Sequence, residues 1–330
     1  MVKLKDSVFI NQLAGTIRHR IQIISLVVVT CVLMVPCVPG QAVDDMNVTR
    51  LVLQARQGDV RAMDQLGILY TSGKGVEPDR REALMWFRRA AENGYVSSQY
   101  NYAVLLIDER KESLAINWLK KADANGHVRA CHKLGELYHE GRGVPKSSDE
   151  AYEYFLRNAR NGIPASMKWV AVLWQNGDGT ERRPEDAAVI IEYLAELGDA
   201  TSQVMMGNTY DAAVGVEKDD AKAIEWYLKA ARQGSTTAMN NLGVMLSPRL
   251  LNDNPHADVV ESFKWFNLAA GDGMEFAARQ REKLRKHMTQ EQVRRAEQES
   301  VAFIPEPQSW NDFRILKLPD RIAGLLRTQS

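Results

Sequence analysis

The chain is poor in cysteine and carries no net charge. Of 330 residues only three are Cys. Cys31 and Cys37 fall in the first 42 residues, which leaves Cys131 alone in the rest. A single cysteine closes no internal disulfide, so packing has to hold the fold; Cys131 itself reads as a small buried residue on a helix. Lys plus Arg (42) equal Asp plus Glu (42), which argues against a nucleic-acid binder working through a broad basic surface. The 11 prolines and 22 glycines are too few for a disordered chain. No stretch alternates apolar and polar residues as a strand would.

What is present begins with a targeting segment. Arg18, His19 and Arg20 precede IQIISLVVVTCVLMVPCV, residues 21–38, after which come Pro39 and the small residues Gly40 and Ala42. This is the charged, apolar, small-residue order of a secretory signal cleaved after Ala42. The long leader leaves a second reading open, an uncleaved anchor formed by residues 21–38. The basic flank keeps the N-terminus cytoplasmic in both. The chain is therefore expected to be exported: periplasmic or secreted if cleaved, held in the inner membrane if not. The first 42 residues have a net charge of +3, four Lys or Arg against one Asp, so the remainder is mildly acidic at −3. Residues 43–50 read as a linker, including Asn47-Val48-Thr49, which has the pattern of a glycan acceptor.

From residue 51 the sequence repeats. Gly58, Gly94, Gly126, Gly162, Gly198, Gly234 and Gly273 close successive phrases at intervals of 36, 32, 36, 36, 36 and 39. Four residues past each of the first six glycines stands Ala or Ser, and nine past stands Gly or Ala. Twelve past stand Tyr70, Leu106, Tyr138, Trp174, Tyr210 and Leu246. The second half of each phrase repeats Ala or Ser, then three residues later Trp86, Trp118, Tyr154, Ile190, Trp226 or Trp265. Each half has the spacing of one helical face. Small residues let two helices approach while the large ones fill the space between them, so these tryptophans read as packing groups rather than a cofactor box. GKGV at 73–76 and GRGV at 141–144 join the halves, and the closing glycines suit left-handed helix ends. A helix–turn–helix of this kind cannot bury its own face, so copies must stack.

These residues carry a resemblance. GDVRAMDQLGILYTSGKGVEPDRREALMWFRRAAENG, residues 58–94, resembles the Sel-1-like repeat family, kin of tetratricopeptide repeats, and the likeness runs through about residues 51–280. It implies an all-α fold, a right-handed α-solenoid of helix–turn–helix repeats of about 36 residues, working as an adaptor for proteins. About six repeats are expected, with residues 51–58 as an N-terminal capping helix, a C-terminal capping helix at 281–300 and a partly ordered tail at 301–330 with a short helix near Arg321 to Leu326. Thr289 and Gln292 have capping-box spacing at the start of the C-terminal cap. Two copies depart from the pattern: the second is four residues short with DERKES in place of the glycine turn, and the sixth carries the longer SPRLLNDNPHADV. Both read as loop variants, with a change of superhelix pitch or a contact loop as the alternative.

Solenoids bind along the concave face lined by the first helix of each pair. By resemblance to tetratricopeptide arrays, its candidate partner-binding residues are Arg61, Asp64, Tyr100, Arg129, His132, Glu136, His139, Lys168, Gln175, Asn208, Asp211 and Asn240. This mixed lining suits a protein segment or peptide better than a phosphate polymer. His132, Glu136 and His139 share one helix face, but the spacing is looser than that of a zinc-binding helix, and solvated or partner-binding histidines are the preferred reading. No cofactor or metal is expected. No nucleophile–base constellation is visible, and an enzyme is not expected. The alternative is a β-lactam-hydrolysing or -binding protein of the cysteine-rich Sel-1-like type, whose paired cysteines are absent here. The expected function is an exported scaffold in envelope regulation or assembly, with membrane contact only through the N-terminal segment.

Overall fold

The computed structural model describes residues 45–248 and 257–327. Residues 1–42, expected to be a targeting segment, and most of the long loop of the sixth copy lie outside the described residues. Among the described residues there are 16 helices and no strand, and no helix is long and apolar enough to cross a membrane. The chain divides into two compact units, residues 1–93 and 94–330.

Unit one holds α1 (Asp45–Arg56), α2 (Val60–Ser72) and α3 (Arg80–Glu92). The first helix starts at Asp45, so most of the stretch expected to be linker is helical, glycan pattern included. The reason is that Val48, Leu51, Val52 and Ala55 continue one i, i+3, i+4, i+7 face, and Ala55 is 2% exposed. Asp59 and Asp79 start α2 and α3 by accepting the backbone N–H groups of the first turn.

Unit two repeats the same pair: α4 (Val96–Asp108) with α5 (Glu112–Ala124), α6 (Val128–Glu140) with α7 (Ser148–Arg160), and α8 (Pro164–Asn176) with α9 (Pro184–Glu196). Then follow α10 (Ala200–Asp211) with α11 (Asp220–Arg232), and α12 (Thr236–Met245) with α13 (Val259–Gly271). Two further helices end the stack, α14 (Glu275–Arg285) and α15 (Gln290–Ala302), and α16 (Asp320–Arg327) comes last. The fold is that of an all-α solenoid. The expected capping box is formed: Thr289 Oγ1 accepts from the Gln292 N–H, and the Gln292 side chain accepts from the Thr289 N–H.

One hydrogen bond closes every turn between paired helices. The carbonyl of the residue twelve past each anchor accepts the N–H of the residue that caps the second helix. These bonds are Asp79 to Tyr70, Ser147 to Tyr138, Arg183 to Trp174 and Asp219 to Tyr210, at 2.7–3.3 Å. The short second copy makes the same bond from Lys111 to Leu106, and the long sixth copy from Asp258 to Leu246, both at 2.9 Å. Length variation is thus absorbed within the turn, as loop variants require. In the second copy Arg110 takes the left-handed conformation (φ 59°) that glycine supplies elsewhere, and Ala213 does the same (φ 54°) after α10.

In four of the six pairs the helices close over a glycine, and in the other two the buried Ala103 or Ala171 holds that place. A Cβ on Gly135, Gly207 or Gly243 would lie 2.4–2.7 Å from the ring of Phe155, Tyr227 or Phe266, and one on Gly67 would lie 2.6 Å from Phe87. The aromatic that covers the glycine is therefore the residue after Trp86, Tyr154, Trp226 or Trp265. The tryptophans serve packing too: Trp86, Trp226 and Trp265 are buried. A Lys or Arg three residues on covers the ring face of Trp86, Trp118, Tyr154 and Trp226, at 3.7–5.2 Å. Successive repeats meet at the second glycine of the turn: a Cβ on Gly215 (φ 74°) would stand 2.1 Å from the Pro184 carbonyl oxygen of the preceding repeat.

Candidate peptide-binding face

The candidate residues in unit one are Arg61, exposed, and Asp64, buried, on α2. In unit two the first helices α4, α6, α8, α10 and α12 stand side by side, and their candidate residues reach from one repeat to the next. The Gln175 amide donates to Thr209 Oγ1 at 3.5 Å. Asn208 Oδ1 accepts from Asn241 at 3.1 Å and from the Tyr227 hydroxyl at 2.7 Å. Asn240 lies beside Asn241, and its own Oδ1 is buried without a partner. Asp211 is exposed and faces Lys218 at 3.8 Å. At the other end Tyr100 stacks on the ring of His127, centroids 4.5 Å apart, and burial pushes its hydroxyl pKa up. His127 also caps α6, its Nδ1 accepting the Ala130 N–H.

His132 departs from the reading of a solvated histidine. It is 6% exposed. Its Nδ1 lies 2.9 Å from Ser166 Oγ in the next repeat and its Nε2 3.4 Å from Glu136 Oε1. Phe155 and Phe313 pack against its ring. Burial raises the Glu136 pKa, but hydrogen bonds from His132 and Lys133 outweigh it and hold the carboxyl at about 2. His139 turns instead to Trp169, ring centroids 4.9 Å apart, and its Nδ1 has no partner. The three side chains do not converge as a ligand set, and no cluster of three metal-binding side chains occurs among the described residues. Cys131 is free and buried; burial raises its pKa to about 11 against the opposing pull of Arg157. Such a thiol is a poor nucleophile.

The sequence did not reveal what covers Arg129, His132 and Lys168: the chain's own C-terminal segment. Lys168 Nζ lies 2.5 Å from Asp312 Oδ1 and 3.2 Å from Asp199 Oδ2. Burial raises the Asp312 pKa, but the bonds from Lys168 and the Trp310 indole hold it below the usual range. The Arg129 guanidinium lies 5.3 Å from the centre of the Phe313 ring. The Ala165 N–H donates to the Asp312 carbonyl at 3.0 Å, and the Leu316 N–H donates to the Gly162 carbonyl at 2.8 Å. Farther on, Ile322 and Leu326 of α16 are buried in the core formed by α7, α8 and α9. The expected tail is thus an ordered strap followed by an anchored helix.

The Sel1 repeat family model matches residues 60–95, 96–127, 128–163, 200–235 and 236–274. The pair α8–α9 lies between these matches, although its turn closes on the same Arg183-to-Trp174 bond. A crystal structure of a Sel1 repeat protein from Oxalobacter formigenes is similar, with a TM-score of 0.58 and 28% identity, covering 68% of this chain and 90% of that one. The chitin synthase regulator SKT5 of Saccharomyces cerevisiae is 24% identical over 236 residues, 66% of this chain and 33% of the regulator. Chitin synthase regulatory factor 3 of Schizosaccharomyces pombe is 22% identical over 239 residues, 58% of this chain and 26% of that protein. This chain spans a third or less of the length of either regulator. With five repeats matched across more than half of its residues, the chain belongs to the Sel1 repeat family.

Proposed function

We propose that the chain is an exported, non-catalytic scaffold that holds a segment of another protein along the first-helix face, in envelope regulation or assembly. The observation that carries this reading is that two first helices of unit two, α6 and α8, already seat a polypeptide at their N-terminal ends, Asp312 and Phe313 of the chain's own residues 303–319, through backbone and side-chain contacts. Two observations support it further: relatives are named as regulators of another protein, chitin synthase, and the one described cysteine is buried and held protonated. Export rests on the order of residues 18–42, with cleavage after Ala42 or retention through 21–38.

The test is a crosslinking pull-down from the envelope fraction with Arg61→Glu and Asp211→Lys. Both residues are exposed, and neither is among the residues that the strap touches. The proposal expects loss of a specific partner in at least one reversal; partners retained unchanged in both would remove the first-helix face from the account. N-terminal sequencing of the exported form tests cleavage.

A further inference from the structure

Residues 303–319 form no regular element, yet they visit the repeats in reverse order. Phe303 packs on Trp265, the Glu306 N–H donates to the Arg232 carbonyl, and Gln308 lies against Gly198. Asp312 then reaches Lys168, and Phe313 reaches Arg129 and His132. We propose that this strap is an intramolecular stand-in for a partner. The ends of α6 and α8 beneath it form a site for a peptide with an aromatic–any–acidic–aromatic sequence bent as the strap is at Asn311–Arg314, which binds by displacing the strap. This deepens the scaffold reading and rests on it.

The seat is built for such a peptide. Lys168 takes the carboxylate, the Arg129–His132 pair takes the second ring, and the Ala165 N–H and Gly162 carbonyl take the backbone. Trp310, the first aromatic, donates its indole N–H to the same carboxylate at 2.9 Å. Main-chain bonds of this kind supply affinity, and the side-chain pockets supply selectivity. The seat includes α8, from the helix pair that the family model leaves unmatched.

The strap is also made to leave. None of residues 303–319 is fully buried, though Trp310, Leu316 and Leu318 pack on the core; three backbone–backbone hydrogen bonds and one from the Tyr193 hydroxyl to the Lys317 carbonyl tie them to the repeats, whereas Ile322 and Leu326 beyond them are 3% and 1% exposed. Departure strands no buried charge, because Lys168 keeps Asp199 and His132 keeps Ser166 and Glu136. An uncompensated buried charge would otherwise hold the strap shut. The fit is incomplete at both ends. A cavity of about 340 Å³ between Tyr100, His127 and Arg129 has Asn311 and Phe313 as one wall. Another of about 500 Å³ beside Trp226 and Lys229 has Glu306 and Gln308 as its wall. A partner with bulkier side chains at these places fills more of the site than the strap does.

The test is fluorescence anisotropy with a labelled peptide of residues 305–318, added to the full-length chain. Wild type is expected to bind it at least tenfold more weakly than the strap-released Asp312→Lys/Phe313→Ala variant. Adding Lys168→Glu to that variant is expected to weaken binding tenfold or more. A folded released variant that ignores the peptide, or one that binds it no better than wild type, overturns the proposal. If the released variant fails to fold, hydrogen exchange of the wild type decides. The Glu306 and Leu316 amides are expected to exchange at least a hundredfold faster than amides in the middle of α7 and α8, and equal protection overturns displacement. A wild-type dimer crosslinked strap to site would assign the seat to a second copy and overturn the partner assignment. The Arg61 and Asp211 reversals leave the peptide readout untouched, so the scaffold reading and this one fail separately.

Discussion

Lys168 and Asp312, 144 positions apart, form an ion pair at 2.5 Å that pins the C-terminal strap to the first helix of the fourth repeat. The Lys168 side chain is 13% exposed and that of Asp312 43%. The two ends of the pair therefore differ in cost. Asp312→Lys is expected to free the strap, seen as new protease cleavage within 303–319, with little change in the melting of the repeats. Lys168→Glu sets a third carboxylate beside Asp199 and Asp312 and is expected to destabilise by about 3 kcal/mol, the range for a broken buried pair. The double exchange Lys168→Glu/Asp312→Lys should recover part of that loss, and denaturant midpoints would show it.

The junction between repeats makes a sharper demand on glycine than the helix ends do. Gly126 (φ 80°) has nothing within 4 Å of its missing Cβ, whereas Gly215 (φ 74°) faces the Pro184 backbone. Gly126→Ala is expected to lower stability by about 1–2 kcal/mol, the strain of left-handed backbone alone. Gly215→Ala adds overpacking and is expected to cost about 1–3 kcal/mol more. Equal midpoints in urea for the two variants would contradict the inter-repeat contact.

Ala213 offers the opposite case. It takes φ 54° without being glycine, so Ala213→Gly is expected to raise stability by up to about 1 kcal/mol, the relieved strain being set against the greater freedom of an unfolded glycine. Thermal melting reads this directly, and a lowered melting temperature would count against it.

Glu136 gives a pH dependence with a definite sign. Its carboxyl sits at about 2 in the folded chain against an ordinary 4.5, so the folded state holds fewer protons there than the unfolded state. The stabilisation is complete above pH about 4.5 and is lost as pH falls towards 2; by linkage it amounts to at most ~3 kcal/mol. Glu136→Gln, which leaves His132 and Lys133 in place, is expected to flatten the stability curve over that window. Parallel acid-unfolding curves for variant and wild type would refute the assignment.

Cys131 serves as a reporter of unfolding. Buried, with its pKa at about 11, it is expected to resist alkylation in the native chain and react once the repeats open. Peptide mapping separates its modification from that of Cys31 and Cys37. Rapid native labelling at Cys131 would contradict its burial.

The repeating part of the fold was legible because its signals are local. The glycine anchors, the aromatic twelve residues on and the Thr289–Gln292 box each act within one helix or one turn. What escaped depends on distant partners. Phe87, Phe155 and Tyr227 cover glycines from the opposite helix, and nothing in their own helices marks them apart from the adjacent Trp86, Tyr154 and Trp226. His132 reads as a surface histidine until Phe313, far along the chain, is laid over it. The strap has no periodicity to find; Trp310, outside the repeat, reads as an anchor for the tail, but Asp312 and Phe313 acquire meaning only beside Lys168 and Arg129.

The central claim, that the first-helix face holds another protein, is tested most directly by site-resolved photocrosslinking in cells. A crosslinker at Tyr100, beside the open cavity, is compared with one at Leu114, which is 57% exposed on the second helix of the same pair. The account predicts that position 100 joins a single defined segment of a different protein, identified by mass spectrometry, and that position 114 does not. Crosslinks confined to the chain itself, or equal at the two positions, would contradict it.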